Sequence, residues 1–179
     1  MAGRTPAEAV NNHLGPLQRA ISCVTRSVLN VRGGYYPSPD PHPLALGDGS
    51  PVKVSTDPPI FLTVLQNYRV VEFEGPRGPW KVSIVSYYYS LEDGERREVL
   101  FHWHPQGSST VTFPHLHLRT GGQLGHTDLN QVHFPTGRVA LEDVLRLAIQ
   151  EFGVSPERTD WEEVLDSTQA AYEEWRTGP

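Results

Sequence analysis

Four runs of β-branched and aromatic residues, 61–75 (FLTVLQNYRVVEFEG), 80–90 (WKVSIVSYYYS), 97–104 (REVLFHWH) and 111–119 (VTFPHLHLR), follow one another with only short turns between them. Strand-forming composition broken at such close intervals is a strand–turn–strand signal. It predicts an antiparallel, four-stranded meander sheet, and no other feature constrains the fold as strongly.

Helices are expected before and after those strands in the chain. Segment 140–153 (ALEDVLRLAIQEFG) puts Leu141, Val144, Leu145, Ala148 and Phe152 on one face, with Gly153 placed to cap the end. A last helix starts near Thr159 or Asp160, each followed three residues later by a glutamate at capping-box spacing. Near the other terminus, Val10, Leu14, Leu17, Ile21, Val24 and Val28 recur at helical spacing over about residues 6–30. Gly15-Pro16 predicts a break there, since proline lacks the donor and crowds the preceding turn. This stripe packs on its own domain or pairs with a second copy, which makes a homo-oligomer through the N-terminal helix one expectation.

Between the first helix and the strands, residues 33–59 hold seven prolines and four glycines, which predicts an irregular arm with His42 solvated. The expected organisation is a helical segment (1–32), a Pro/Gly-rich arm (33–59) and an α+β domain (60–179). In that domain the N-terminal helix and two C-terminal helices pack on one face of the sheet.

Composition narrows the partners. The net charge is −6, with 13 arginines, 2 lysines and no basic run. Non-specific coating of duplex DNA is therefore not expected, because phosphate contacts supply most of that affinity. A local RNA-binding pocket stays open. No stretch is apolar for long enough to span a membrane, and the N-terminus shows no secretory pattern. The single cysteine, Cys23, cannot form an internal disulfide, so a cytoplasmic setting is expected.

Six of the eight histidines fall between positions 102 and 133, and four of them form two His-x-His pairs. Side chains alternate across a strand, so His102 and His104 share a face opposite Phe101 and Trp103. By the same rule His115, His117 and Arg119 share a face opposite Leu116 and Leu118. If the two strands pair with His102 opposite His115, all four imidazoles lie on one side of the sheet and the apolar set lies on the other. Helices are expected over the apolar set, leaving the histidine face open. Crowding should lower the imidazole pKa values, since like charges disfavour protonation.

Two chemistries follow from such a cluster. One is metal-independent acid–base catalysis of the kind that cleaves RNA through its own 2′-hydroxyl. His115 and His117 would then be the acid–base pair, assisted by His102, His104 and His133, with Arg119 and Arg138 as substrate-binding candidates. The other is a zinc-dependent hydrolase or metal-binding protein that uses the same imidazoles, with a carboxylate from elsewhere, such as Asp128, completing the site. A third reading is non-catalytic: an interaction module built on the N-terminal stripe and the acidic last helix. Of Tyr87, Tyr88 and Tyr89, one or two should pack in the core, and the rest could stack a base.

His104-Pro105 and Pro114-His115-Leu116-His117, followed by a glycine turn and the 140–153 helix, give the chain a resemblance over about residues 60–152 to the TumE-type toxins of bacterial toxin–antitoxin pairs. That resemblance implies a toxin acting on RNA, with an antitoxin protein as partner. The N-terminal helix, the proline-rich arm and the acidic C-terminal helix are additions to the pattern.

Overall fold

The computed structural model describes residues 1–75, 77–95, 97–106 and 110–175, with Trp175 described by its backbone alone. In chain order the elements are β1 (Ala2–Gly3), α1 (Pro6–Ile21), β2 (Leu29–Val31), β3 (His42–Leu46), β4 (Val52–Thr56), β5 (Pro59–Glu72) and β6 (Trp80–Glu92). They continue with β7 (Glu98–Trp103), β8 (His115–Arg119), β9 (Gln123–Leu124), β10 (Thr127–Asp128), β11 (Phe134–Pro135), α2 (Leu141–Gln150) and α3 (Trp161–Trp175). The class is α+β.

The meander β5–β6–β7–β8 forms as the sequence predicts, but it is the centre of something larger. Among the described residues the main sheet has nine strands, ordered β11-β8-β7-β6-β5-β3-β2, with β4 added to β5 and β1 added to β6. The excess over four arises because β5 and β6 are long, pairing from Phe61↔Glu92 to Glu72↔Trp80. Each then has room for two short neighbours on its outer edge. β9 and β10 form a separate two-stranded ribbon.

Two of the added strands come from the stretch expected to be an irregular arm. In β3, His42, Leu44 and Leu46 point inward, at 3%, 1% and 1% exposure. The alternation, not the proline count, decides the outcome. Proline's fixed φ suits an extended chain, and Pro43 gives up only one ladder donor; its carbonyl still accepts from Arg32 N–H at 2.9 Å. His42, expected in solvent, is buried beside Tyr68 and Tyr36, and its Nε2 lies 2.7 Å from the Tyr36 carbonyl.

The first helix also differs from expectation. Thr5 caps it, its hydroxyl accepting from Glu8 N–H at 3.1 Å, and the helix runs unbroken past Gly15-Pro16 to end at Ile21. Pro16 removes the donor that the Asn12 carbonyl would have met. The packing of Val10, Leu17 and Ile21 on both sides of it, all nearly inaccessible, outweighs that loss. Val24 is buried in the following turn, and Val28 lies outside the helix at 56% exposure. From Val10 to Val24 the apolar stripe is thus largely covered inside the chain by the sheet and the other helices.

The three helices pack on the face that carries Leu62, Val64, Tyr87, Tyr89, Leu91 and Trp103. Leu141, Val144, Leu145 and Ala148 from α2, and Val164 and Leu165 from α3, complete this core. Each fully buried leucine there contributes about 2 kcal/mol relative to exposure. Tyr87 and Tyr89 stack at 4.8 Å within it.

Past the end of α2, Gly153 adopts φ +71°, and Val154 N–H turns back to the Ala148 carbonyl at 3.0 Å. A Cβ at Gly153 would meet nothing within 4 Å. Gly153→Ala therefore isolates backbone strain, and a loss of roughly 1 kcal/mol is expected. Denaturant midpoints would measure it, and an unchanged midpoint would contradict the assignment.

Candidate functional site

The face turned away from the helices carries the histidines. Across β6, β7 and β8 the register runs Tyr88↔His102 and His102↔His115, with Leu100↔His117 one step along. Directly opposed residues share a face, so Tyr88, His102, His115 and His117 stand together. His104 follows β7 immediately, and its ring lies 4.5 Å from that of His102. On the far side, β11 pairs Phe134 with Leu116. Continuing that register by one residue sets His133 across from His117, at 4.5 Å between ring centroids. The remaining separations are 5.2 Å for His102–His115, 4.8 Å for His115–His117 and 4.9 Å for His115–His133.

All five histidines singled out from the sequence therefore come together. Within the group, one nitrogen each from His102, His115 and His117 falls within 4.8 Å of the others. His115 is buried, His102 and His117 are half-buried, and His133 is exposed.

Hydrogen bonding distinguishes the ring nitrogens. His115 Nδ1 lies 2.9 Å from the Phe113 carbonyl. A carbonyl only accepts, so Nδ1 carries the proton and Nε2 presents its lone pair to the cluster. The Nδ1 atoms of His104 and His117 are buried with no hydrogen-bond partner among the described residues. Buried polar atoms are nearly always satisfied, so two such atoms in one cluster need an explanation.

Burial lowers the pKa of both His102 and His117 to about 4, and the neighbouring imidazoles and Arg119 push in the same direction. Both rings are uncharged at neutral pH, so neither is the imidazolium that a general acid requires there.

One carboxylate joins the face. Glu98 pairs with Arg119 in the same register that aligns the histidines. It is buried at 7%, accepts a hydrogen bond from the Tyr88 hydroxyl at 2.7 Å, and holds Arg119 Nη1 at 2.9 Å through its other oxygen. Burial and this bond to Glu98 raise the Tyr88 pKa to about 12, keeping the phenol protonated. Glu98 was not among the candidates from sequence. The signal was available: the residue numbers of Glu98 and Arg119 sum to 217, as do those of His102 and His115.

The structure does not bring the other candidates in. Arg138 lies over the Trp103 indole, 4.1 Å from the ring centroid, on the helix-bearing side of the sheet. Asp128 accepts from Asn130 N–H at 2.9 Å and caps a short 3-10 turn. His126 is exposed in the turn between β9 and β10. Of the three consecutive tyrosines, Tyr87 and Tyr89 belong to the core and Tyr88 to the site. Beside His117 and His133 opens a cleft of about 660 Å3, walled by Arg119, Arg97, Asn130 and Gln131 among others.

No family model matches this chain, and neither a curated protein nor a solved structure shows significant similarity to it.

Proposed function

We propose that the protein is a metal-dependent hydrolase whose centre is a divalent ion such as zinc, held by His102, His115 and His117. The observation that carries this reading is the convergence of three imidazole nitrogens within 4.8 Å, with the buried Nδ1 of His117 lacking any partner. Tetrahedral zinc with nitrogen ligands at about 2.0–2.1 Å needs those atoms roughly 3.4 Å apart. The rings would have to rotate to close the difference.

The donor set favours the same chemistry. Imidazoles without thiolate suit a borderline ion, and three protein ligands leave a position for water, the pattern of catalytic rather than structural zinc. Bound there, such an ion lowers the pKa of water toward 7 and polarises the group attacked. The chain's own parts have separate tasks. The Phe113 carbonyl orients His115, in the manner of outer-shell partners at metal sites. His133 stands at the cleft wall, where its ring can hydrogen-bond to a bound substrate.

An RNA-cleaving toxin without a metal would use the same face, with His115 and His117 as acid and base. It fits less well, because one imidazole would have to be protonated at rest while the rings crowd at 4.5–5.2 Å.

Untagged protein dialysed against zinc or cobalt and measured by elemental analysis tests the proposal. One equivalent, removed by chelator and giving a tetrahedral cobalt absorption band, is expected. Protein that keeps no metal after dialysis would overturn it.

A further inference from the structure

We infer that the substrate of this centre is a small phosphate ester gripped by Arg119, not a polynucleotide; the inference rests on the metal-centre reading above. It starts from Glu98. That carboxylate is buried, fixed from one side by the Tyr88 hydroxyl, and bound from the other to Arg119 Nη1 at 2.9 Å. An arginine anchored on a buried acid is held in place before any ligand arrives. Only this one contact is made by Arg119 among the described residues, and its side chain is 51% exposed along the cleft that also borders His117 and His133. A guanidinium has five donors in a planar fork suited to oxyanions. The Arg119 side chain lines the cleft.

The rest of the wall sets the number of phosphates. Among the described residues the cleft's other cation is Arg97, already bound to Asp93 at 2.5 Å and to Glu95 at 2.8 Å, and Glu95 itself lines the cleft. Arg119 is therefore the one unsaturated guanidinium that the described residues bring to the cleft. A chain of phosphates running past Arg119 would meet Glu95, and repulsion there weakens the multi-contact affinity on which polynucleotide binding depends. A single phosphate placed between Arg119 and the metal ligands avoids it. The volume, about 660 Å3, suits a compact organic molecule.

Phosphorus also fits the two-point grip better than a carboxylic ester does. A phosphate ester has several non-bridging oxygens, so Arg119 and the ion can bind different oxygens of the one reacting group. A carboxylic ester has a single carbonyl oxygen and leaves Arg119 without a partner on the reacting atom. In the reaction, water's oxygen forms a new bond to phosphorus and the P–O bond to the alcohol breaks. The bonding pair stays on the alcohol oxygen, which takes a proton from the attacking water. The products are inorganic phosphate and the free alcohol, with no change in oxidation state.

The experiment measures two things on the same zinc-loaded full-length protein: bound zinc by elemental analysis, and binding of inorganic phosphate by calorimetry. 4-Nitrophenyl phosphate serves as the turnover probe, and a single-stranded RNA oligonucleotide as the competitor class. Wild type should bind phosphate one-to-one. Arg119→Gln should weaken phosphate binding and raise KM roughly ten- to a hundred-fold, the range for losing a charged hydrogen bond, with zinc still at one equivalent. Arg119→Lys should recover part of the loss, and Arg138→Gln, on the opposite face, should change nothing. Zinc-loaded protein that ignores phosphate would overturn this inference and leave the metal centre standing. So would RNA bound more tightly than phosphate with a steep salt dependence. Absence of bound zinc would instead overturn the metal reading itself, and this inference with it.

Discussion

With His117 replaced by alanine, zinc affinity is expected to fall by at least about 100-fold, since even outer-shell partners of zinc ligands are typically worth 10–100-fold. His117 lies half-buried at the middle of the cluster, 4.8 Å from the His115 ring and 4.5 Å from His133. Its removal leaves only two of the three converging nitrogens. The imidazole makes no hydrogen bond through its buried Nδ1, so truncation orphans no partner and the fold should survive. Thermal denaturation with and without zinc separates binding from folding. A ligand present at 1,000 times its Kd stabilises by about 4 kcal/mol, so wild type should melt well above its metal-free form and His117→Ala should not. His102→Ala should behave alike. His126→Ala, exposed and away from the cluster, should retain the full zinc-induced shift. Equal shifts in wild type and in His117→Ala would remove His117 from the ligand set.

The site was readable from sequence to the extent that it follows from strand alternation. His102, His104, His115 and His117 fall on one face in any register of odd sum, and the observed His102↔His115 pairing is one of that set. Glu98 obeys the same arithmetic, but a single charged residue opening a strand carries no pattern of its own, and only its pairing with Arg119 reveals it. His133 needed β11, a two-residue strand too short for any periodicity to announce. The fold was readable where composition and periodicity agreed, as in α2, and was misread where they conflicted. In β3, prolines argued for irregularity while His42, Leu44 and Leu46 alternated inward, and burial won. The heptad-like stripe of the first helix continued in sequence to Val28 although the helix stops at Ile21, because spacing alone does not register where a chain turns. Arg138 belongs to a third kind: its charge suggested phosphate, yet the face of Trp103 claims it.

Stability should fall as pH drops from about 6.5 toward about 4, and His13 should account for about 3 kcal/mol of that loss. His13 sits on α1, buried at 3% exposure, with Nε2 3.1 Å from Gln66 Oε1; Gln66 in turn donates to the Tyr89 hydroxyl. Burial is the main cause that lowers its pKa from 6.5 to about 4; the Gln66 bond raises it slightly, and the N-terminal ammonium lowers it. Between those two values the unfolded chain takes up a proton that the folded chain refuses, so acid favours unfolding there, and the effect levels off below the folded value. Glu142 works in the opposite sense. It is 1% exposed, and burial raises its pKa above 4.5, against the smaller opposing pull of its own backbone amide and the Thr168 hydroxyl. The folded chain therefore keeps a proton that the unfolded chain gives up, and stability falls as pH rises through that raised value. Denaturant titrations across this range on metal-free protein resolve the two contributions. His13→Gln minus wild type cancels the remaining histidines and should rise in favour of the variant as pH falls. Glu142→Gln minus wild type should rise in favour of the variant as pH increases. A His13→Gln difference that stays flat with pH would show that the His13 ring is already protonated, or hydrated, inside the folded chain.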